Sequence, residues 1–279
     1  MKKKPFLFTI PVVASLILAG CGAAQEQDHN GHGNQQQGHE QHQQATEKPA
    51  QKVQVNWTFD SQPTANQPKG LTIQVNDQTG KPVNEFEINH EKKMHLIIVS
   101  EDLSHFDHLH PNYQGNGKFK VETNFPQGGK YKLYADFIPQ GGNEATEPKW
   151  VEVKGATSQK QPLQPDAILV KTVDGKEVSL KFDSTPQANQ ETMLTFHIKD
   201  AKTKQPITKL EKYLGAVGHV VIISSDAEQY LHVHPADENA TGPDAMFHTT
   251  FPKAGVYKIW GQFQHQGKVF TVPFVVNVS

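Results

Sequence analysis

The sequence predicts an all-β protein: two tandem immunoglobulin-like β-sandwich domains from an internal duplication, preceded by a signal peptide and a tether rich in His and Gln. Three observations predict it. The second half of the chain repeats the first, apolar residues come in short runs that alternate or are solidly apolar, and those runs end in Gly, Pro, Asn or Asp.

The repeat is read directly from the residues. Phe59-Asp60-Ser61-Gln62-Pro63-Thr64-Ala65-Asn66-Gln67 aligns with Phe182-Asp183-Ser184-Thr185-Pro186-Gln187-Ala188-Asn189-Gln190 at an offset of 123. The offset is 124 from Pro82/Pro206 to Pro111/Pro235, and 126 for Phe125-Pro126/Phe251-Pro252 and Tyr131-Lys132/Tyr257-Lys258. The shifts of one and two residues fall where turn residues cluster, and loops tolerate such insertions.

Residues 1–20 read as a leader. Lys2, Lys3 and Lys4 precede an apolar run, 6–18, that is short for a membrane span. It ends in Leu18-Ala19-Gly20-Cys21, which resembles the end of a bacterial lipoprotein signal. The resemblance implies lipidation of Cys21, and the competing reading is a core cysteine beside a short buried segment. Two acyl chains suffice for anchoring, at about 0.8 kcal/mol per buried methylene. The expected location is the extracytoplasmic face of the cell membrane, held by lipid. Cys21 is the one cysteine, so no disulfide can form within the chain.

Residues 21–51 hold too little apolar surface to offset the entropy of ordering and should be a disordered tether. His29, His32, His39 and His42 within it either gather metal weakly or are part of a solvated spacer. The first domain, 52–154, has strand-like runs at 53–59, 71–75, 94–99, 119–125 and 131–137. A polar linker, 155–165, follows. The second domain, 166–279, opens on a hairpin signal at Asp174-Gly175 and has runs at 177–182, 194–198, 219–223, 246–251, 257–263 and 269–276. About seven strands in roughly 100 residues is the density of an immunoglobulin-like sandwich. Segments 101–104 and 209–214 are the places where a helical turn would fit.

Composition narrows the chemistry. The chain has 15 histidines and one cysteine, so metal chemistry would run on imidazole and not on thiolate pairs. All 27 basic residues are lysine, against 29 acids. Without an arginine fork or a basic excess, nucleic acid is not an expected partner. There is no Gly-rich phosphate loop, G-x-S-x-G elbow or H-E-x-x-H helix, and the chain does not read as an enzyme.

The candidate site is the repeated His-x-His-Pro: His108-Leu109-His110-Pro111 and His232-Val233-His234-Pro235. On a strand the two imidazoles share a face about 6.6 Å apart at the backbone. With some splaying they can converge on one ion, and the proline places them near a loop or sheet edge. His95 and His219 open solidly apolar strands at matching positions, where a polar side chain needs a hydrogen bond or a metal. Each copy thus offers three imidazoles. The second adds His265 where the first has Pro139, and His248 where the first has Glu122; the first adds His90, His105 and Met94. The more complete site is expected in the second copy, with a weaker or vestigial one in the first. The competing reading is that a duplicated structural His-x-His-Pro turn binds nothing. His197 reads as a surface residue, and Met193 and Met246 as core filler.

Around Tyr213-Leu214-Gly215-Ala216-Val217-Gly218-His219, Tyr230-Leu231-His232-Val233-His234-Pro235 and Phe263-Gln264-His265-Gln266-Gly267, the chain resembles bacterial secreted or lipid-anchored proteins described as YtkA-like. These are related in fold to copper-resistance proteins of the CopC type. The resemblance implies a CopC-like sandwich that handles metal outside the cytoplasm, with His219, His232, His234 and His265 as ligand candidates. CopC proteins use an N-terminal histidine, which an acylated Cys21 cannot reproduce. The expected function is therefore a membrane-anchored metal-binding protein for resistance, storage or delivery. Its cargo would be copper first and zinc next, passed where needed to a metal-transfer protein. Affinity should fall as pH drops through the histidine range near 6.5. The alternative is a cell-envelope interaction module whose histidines are structural.

Overall fold

The computed structural model describes residues 52–157, 159 and 162–279, apart from the side chains of His232 and His234. The expected leader, Cys21 and the tether with His29, His32, His39 and His42 lie outside the described residues. Among the described residues there is no helix, so 101–104 and 209–214 are turns and extended chain. Glu211 forms an isolated bridge with Gln264, which holds its segment flat.

The first half contains β1 (Val53–Phe59), β2 (Lys69–Asp77), β3 (His95–Ser100), β4 (Phe106–Leu109), β5 (Asn112–Tyr113), β6 (Lys118–Thr123), β7 (Gly129–Phe137) and β8 (Ala145–Val153). They form two sheets, β1-β2-β6-β5 and β4-β3-β7-β8, with all pairings antiparallel. The second half contains β9 (Val170–Val173), β10 (Lys176–Phe182), β11 (Glu191–Asp200), β12 (His219–Ser224), β13 (Tyr230–Pro235), β14 (Asp244–Thr250), β15 (Gly255–His265) and β16 (Lys268–Val278). Its sheets are β9-β10-β11-β14 and β13-β12-β15-β16, and β13 also bridges β14 at His234↔His248 and Pro235↔Phe247.

Alternation along the strands fills each sandwich. Leu71, Ile73 and Val75 face Leu96, Ile98, Leu133 and Phe137 in the first core; Leu194, Phe196 and Ile198 face Val220, Ile222, Phe263 and Phe274 in the second. Strand β14 shows the alternation clearly, with Ala245, Phe247 and Thr249 inward, and it turns Met246 outward. Met246 is thus exposed and not the core filler expected. Strand β8 was not predicted because it is an edge strand: Pro148 sits in it, several of its residues are exposed, and the apolar pattern is faint.

The central strands β3 and β12 are buried on both faces. One face of each lines its own core. From the other, Ile97, Val99, Val221 and Ile223 join Leu103, Tyr134, Ala227 and Trp260 in a third apolar layer between the two sandwiches. Contacts across that layer come in matched pairs. Phe106 stacks on Trp260 with ring centroids 4.7 Å apart, and Tyr230, at the position equivalent to Phe106, stacks on Tyr134 at 5.0 Å. Lys258 donates to the Leu103 carbonyl at 2.7 Å, while Lys132, its equivalent, meets Glu228 at 2.7 Å. The two sandwiches are therefore packed face to face about a pseudo-two-fold axis.

Close packing also fixes the start of β12. A Cβ on Gly218 would lie 2.5 Å from Phe263 Cδ1 and 2.8 Å from the Gln262 carbonyl oxygen. Gly218→Ala is expected to cost about 1–3 kcal/mol through overpacking, read as a lower urea midpoint. An unchanged midpoint would mean that β12 and β15 can separate without cost.

Candidate metal centre

Histidines gather at one end of the layer between the sandwiches. His95 opens β3 and is 1% exposed, and His219 opens β12 and is 3% exposed. His108 comes from β4, His110 directly follows it, and both are half-buried. Alternation on β4 sends Leu109 into the first core and turns Phe106 and His108 towards the second sandwich. Ring nitrogens of His95, His108 and His110 lie within 4.8 Å of one another, and this triad could hold a metal ion.

The hydrogen bonds set the protons. His95 Nε2 is 3.0 Å from the Asn89 carbonyl oxygen, and His108 Nδ1 is 2.7 Å from Gln262 Oε1. Both oxygens are acceptors, so the outer nitrogen of each ring carries the proton. The inner nitrogens, His95 Nδ1 and His108 Nε2, face each other at 2.9 Å. If both rings are neutral, two lone pairs point at one another, so the contact needs a cation between them: a proton or a metal ion. Two nitrogens bound to one ion at 2.0–2.1 Å stand about 3.3 Å apart. The pair is thus close to ligand spacing.

His110 completes the triad. Among the described residues its Nε2 is buried without a hydrogen-bond partner. Burial pushes the ring pKa down to about 4, and Coulombic repulsion from the neighbouring His95 and Lys92 pushes the same way. A histidine in an unfolded chain titrates near 6.5, so between about 4 and 6.5 the unfolded state binds the extra proton. This contribution to stability is present in full above about pH 6.5 and is lost as pH falls towards 4. Urea unfolding of the metal-free protein should show that loss, and His110→Gln should flatten it. Parallel curves for the two proteins would show that His110 is not held neutral.

The other predicted residues are placed differently. His232 pairs with Val221 and His234 with His248 along β13, but their side chains lie outside the described set. On the same strand Tyr230 faces the first sandwich, while Leu231 and Val233 pack on the second core. His265 stands apart from the cluster. Gln262 is the residue opposite His219, and His265 lies three residues further on, about 10 Å along the strand and on the other face. It pairs with Lys268 at the end of its hairpin and lines a surface depression with Asp174 and Lys176. His105 pairs with Asp107 at 3.0 Å, His197 with Asp244 at 2.6 Å, and His248 with Glu191 at 3.4 Å.

The repeat predicts a separate site in each copy, whereas the structure brings histidines of the two copies together. His219 lies 4.7 Å from His108 and 5.4 Å from His95 between ring centroids, and His90 lies 5.5 Å from His219. Gln262 and Asp136 were also missed. They occupy equivalent places, opposite His219 and His95, and both are buried. Gln262 reaches His108, and Asp136 accepts a hydrogen bond from Tyr230 at 3.1 Å, so each crosses to the other sandwich.

Among solved structures, matches include invasin, titled a bacterial integrin-binding protein, at 13% identity over 82% of this chain and 39% of that one, with a TM-score of 0.24. The chain therefore spans well under half of that protein. The D00-D0 domain of intimin matches at 12% identity over 80% of this chain and 98% of that one, with a TM-score of 0.22. MtrC from Shewanella baltica OS185 matches at 7% identity over 81% and 68%, with a TM-score of 0.24. Similarities this low carry no argument about function. No curated protein matches. One family model matches twice, at residues 48–155 and at 171–279, so that it covers both sandwiches. The chain belongs to the family described as Domain of unknown function (DUF8832) and carries that domain in two copies.

Proposed function

We propose that the protein binds a transition-metal ion at the histidine cluster between its sandwiches. The observation that carries this reading is the His95–His108 contact, where two carbonyl oxygens fix the outer protons and turn two lone pairs together at 2.9 Å. His110 supplies a third nitrogen that is buried and held neutral. An all-imidazole set suits Cu(II) and Zn(II), and copper is favoured where both are present. By the repeat, His219, His232 and His234 are the matching candidates of the second copy. The function is binding and transfer and not turnover: resistance, storage or delivery of copper, or else zinc. The leader ending at Cys21 supports a lipid anchor on the extracytoplasmic face of the cell membrane, where a metal-transfer protein would exchange the ion. The resemblance read in the sequence around His219, His232, His234 and His265 to YtkA-like and CopC-type proteins is in keeping with this proposal. Among the described residues no helix is long and apolar enough to cross a membrane.

A second reading has its own support. Asn89, His95, His108 and Gln262 already form a continuous chain of contacts at one end of the apolar layer. A shared proton would satisfy the inner pair, and the histidines would then hold two sandwiches together in an envelope interaction module. Titrating a chain that begins at Val53 separates the readings. It keeps every described strand and removes the four tail histidines. Tight one-to-one uptake of Zn(II) or Cu(II) supports the metal centre; only weak surface chelation supports the structural role.

A further inference from the structure

We propose that the metal centre is an inter-domain one: the second sandwich closes the ion held by His95, His108 and His110, with His219 as a fourth imidazole and Gln262 as the residue that positions His108. The inference rests on the reading of the triad as a metal centre and adds that neither copy forms the centre alone.

Ring spacing is the first support. Two imidazoles on one tetrahedral ion, with metal–nitrogen bonds near 2.0–2.1 Å, have ring centroids about 5 Å apart. The observed separations are 5.1 Å for His95–His108 and for His95–His110, 4.7 Å for His108–His110, 4.7 Å for His108–His219 and 5.4 Å for His95–His219. His219 thus stands from two of the three triad rings, His95 and His108, at the spacing the triad rings keep from each other. Its nitrogens are outside the set that lies within 4.8 Å, so the inter-domain centre requires the His219 ring to turn as the ion binds.

The second support is the hydrogen bond to Gln262. A metal-bound histidine is oriented by the acceptor on its other nitrogen, and that acceptor fixes the tautomer and the ring plane. For His108 the acceptor is Gln262 Oε1 at 2.7 Å, on the strand paired with His219 in the other sandwich. Gln262 is itself held, with its Nε2 on Thr271 Oγ1 at 3.2 Å. The ligand His219 and the positioning residue Gln262 are direct cross-strand neighbours, so they move as one unit with the second sandwich. An ion bound here would tie the two copies together, and separating them would release it.

The test uses the full chain with Zn(II) for affinity and Co(II) as a spectroscopic probe. His219→Gln is expected to weaken Zn(II) binding at least tenfold at unchanged stoichiometry, and to replace the intense visible bands of tetrahedral Co(II) by weaker ones. Gln262→Leu is expected to weaken binding about 10–100-fold, while Gln262→Glu, which still accepts from His108, retains it. Should His219→Gln misfold, the two Gln262 variants decide the matter on their own. Unchanged affinity in His219→Gln and Gln262→Leu overturns the inter-domain centre. So does a loss of one ion per chain with the remaining ion bound as before, because His219 would then serve a separate site. If Zn(II) binding survives alanine at both His108 and His110, the metal reading itself fails, which is a different result from either.

Discussion

Replacing His108 and His110 together by alanine is expected to lower the affinity for Zn(II) and Cu(II) by more than about a hundredfold. Losing a single outer partner of a metal-bound histidine already costs about 10–100-fold, and this change removes two of the three clustered nitrogens. The fold should survive it. Both residues sit at the end of the short edge strand β4, half-buried, and the substitution also removes a buried nitrogen that lacks a partner among the described residues. Competition against a chelator of known affinity gives the measurement, with circular dichroism as the control for folding. In the intact protein Cu(II) should displace Zn(II), following the Irving–Williams order. Unchanged affinity in a folded variant would remove the metal centre and leave the histidines as structural ties.

Much of this was legible in the sequence for reasons that can be named. The strands announced themselves through two-residue alternation, as in β2 and β11, where inward residues are buried and outward ones are not. The His-x-His-Pro motifs were visible because both copies have them at a constant offset. The docking of the two copies was not read, although a signal for it existed. Leu96-Ile97-Ile98-Val99 and Val220-Val221-Ile222-Ile223 are apolar at every position, and a strand at the surface of a lone sandwich would alternate. Solid apolar character in both copies meant that both faces were covered, and the covering surface is the other copy. The apolar pattern does not fix how those two strands cross, so the approach of His95 and His219, 5.4 Å apart between ring centroids, is visible only in the structure. Gln262 and Asp136 carried no local signal, because their roles depend on a partner more than 90 residues away. His265 was attractive in sequence as a fourth nitrogen, but strand periodicity from Gln262 already put it on the opposite face.

The apolar layer between the sandwiches should be as costly to disturb as either core, and Trp260→Ala tests this. Trp260 is 3% exposed, stacks on Phe106 at 4.7 Å with an interplanar angle of 17°, and lies in the layer with Ile97, Val99 and Tyr134. Truncating a buried aromatic to alanine typically costs about 3–5 kcal/mol through lost burial and the cavity left behind. Trp150 provides the contrast within the same chain. It lies on the edge strand β8, is 39% exposed, and meets the Lys132 ammonium at 5.1 Å. Trp150→Ala is therefore expected to cost about 1 kcal/mol or less, mostly the cation–π contact and partial burial. Urea unfolding followed by circular dichroism compares the two. The Trp260 variant should also bind metal more weakly, because Trp260 is two residues from Gln262 on the strand that orients His108. Equal, small losses for both tryptophans would show that the sandwiches are not firmly docked. The histidines of the two copies would then have no fixed geometry in which to share an ion.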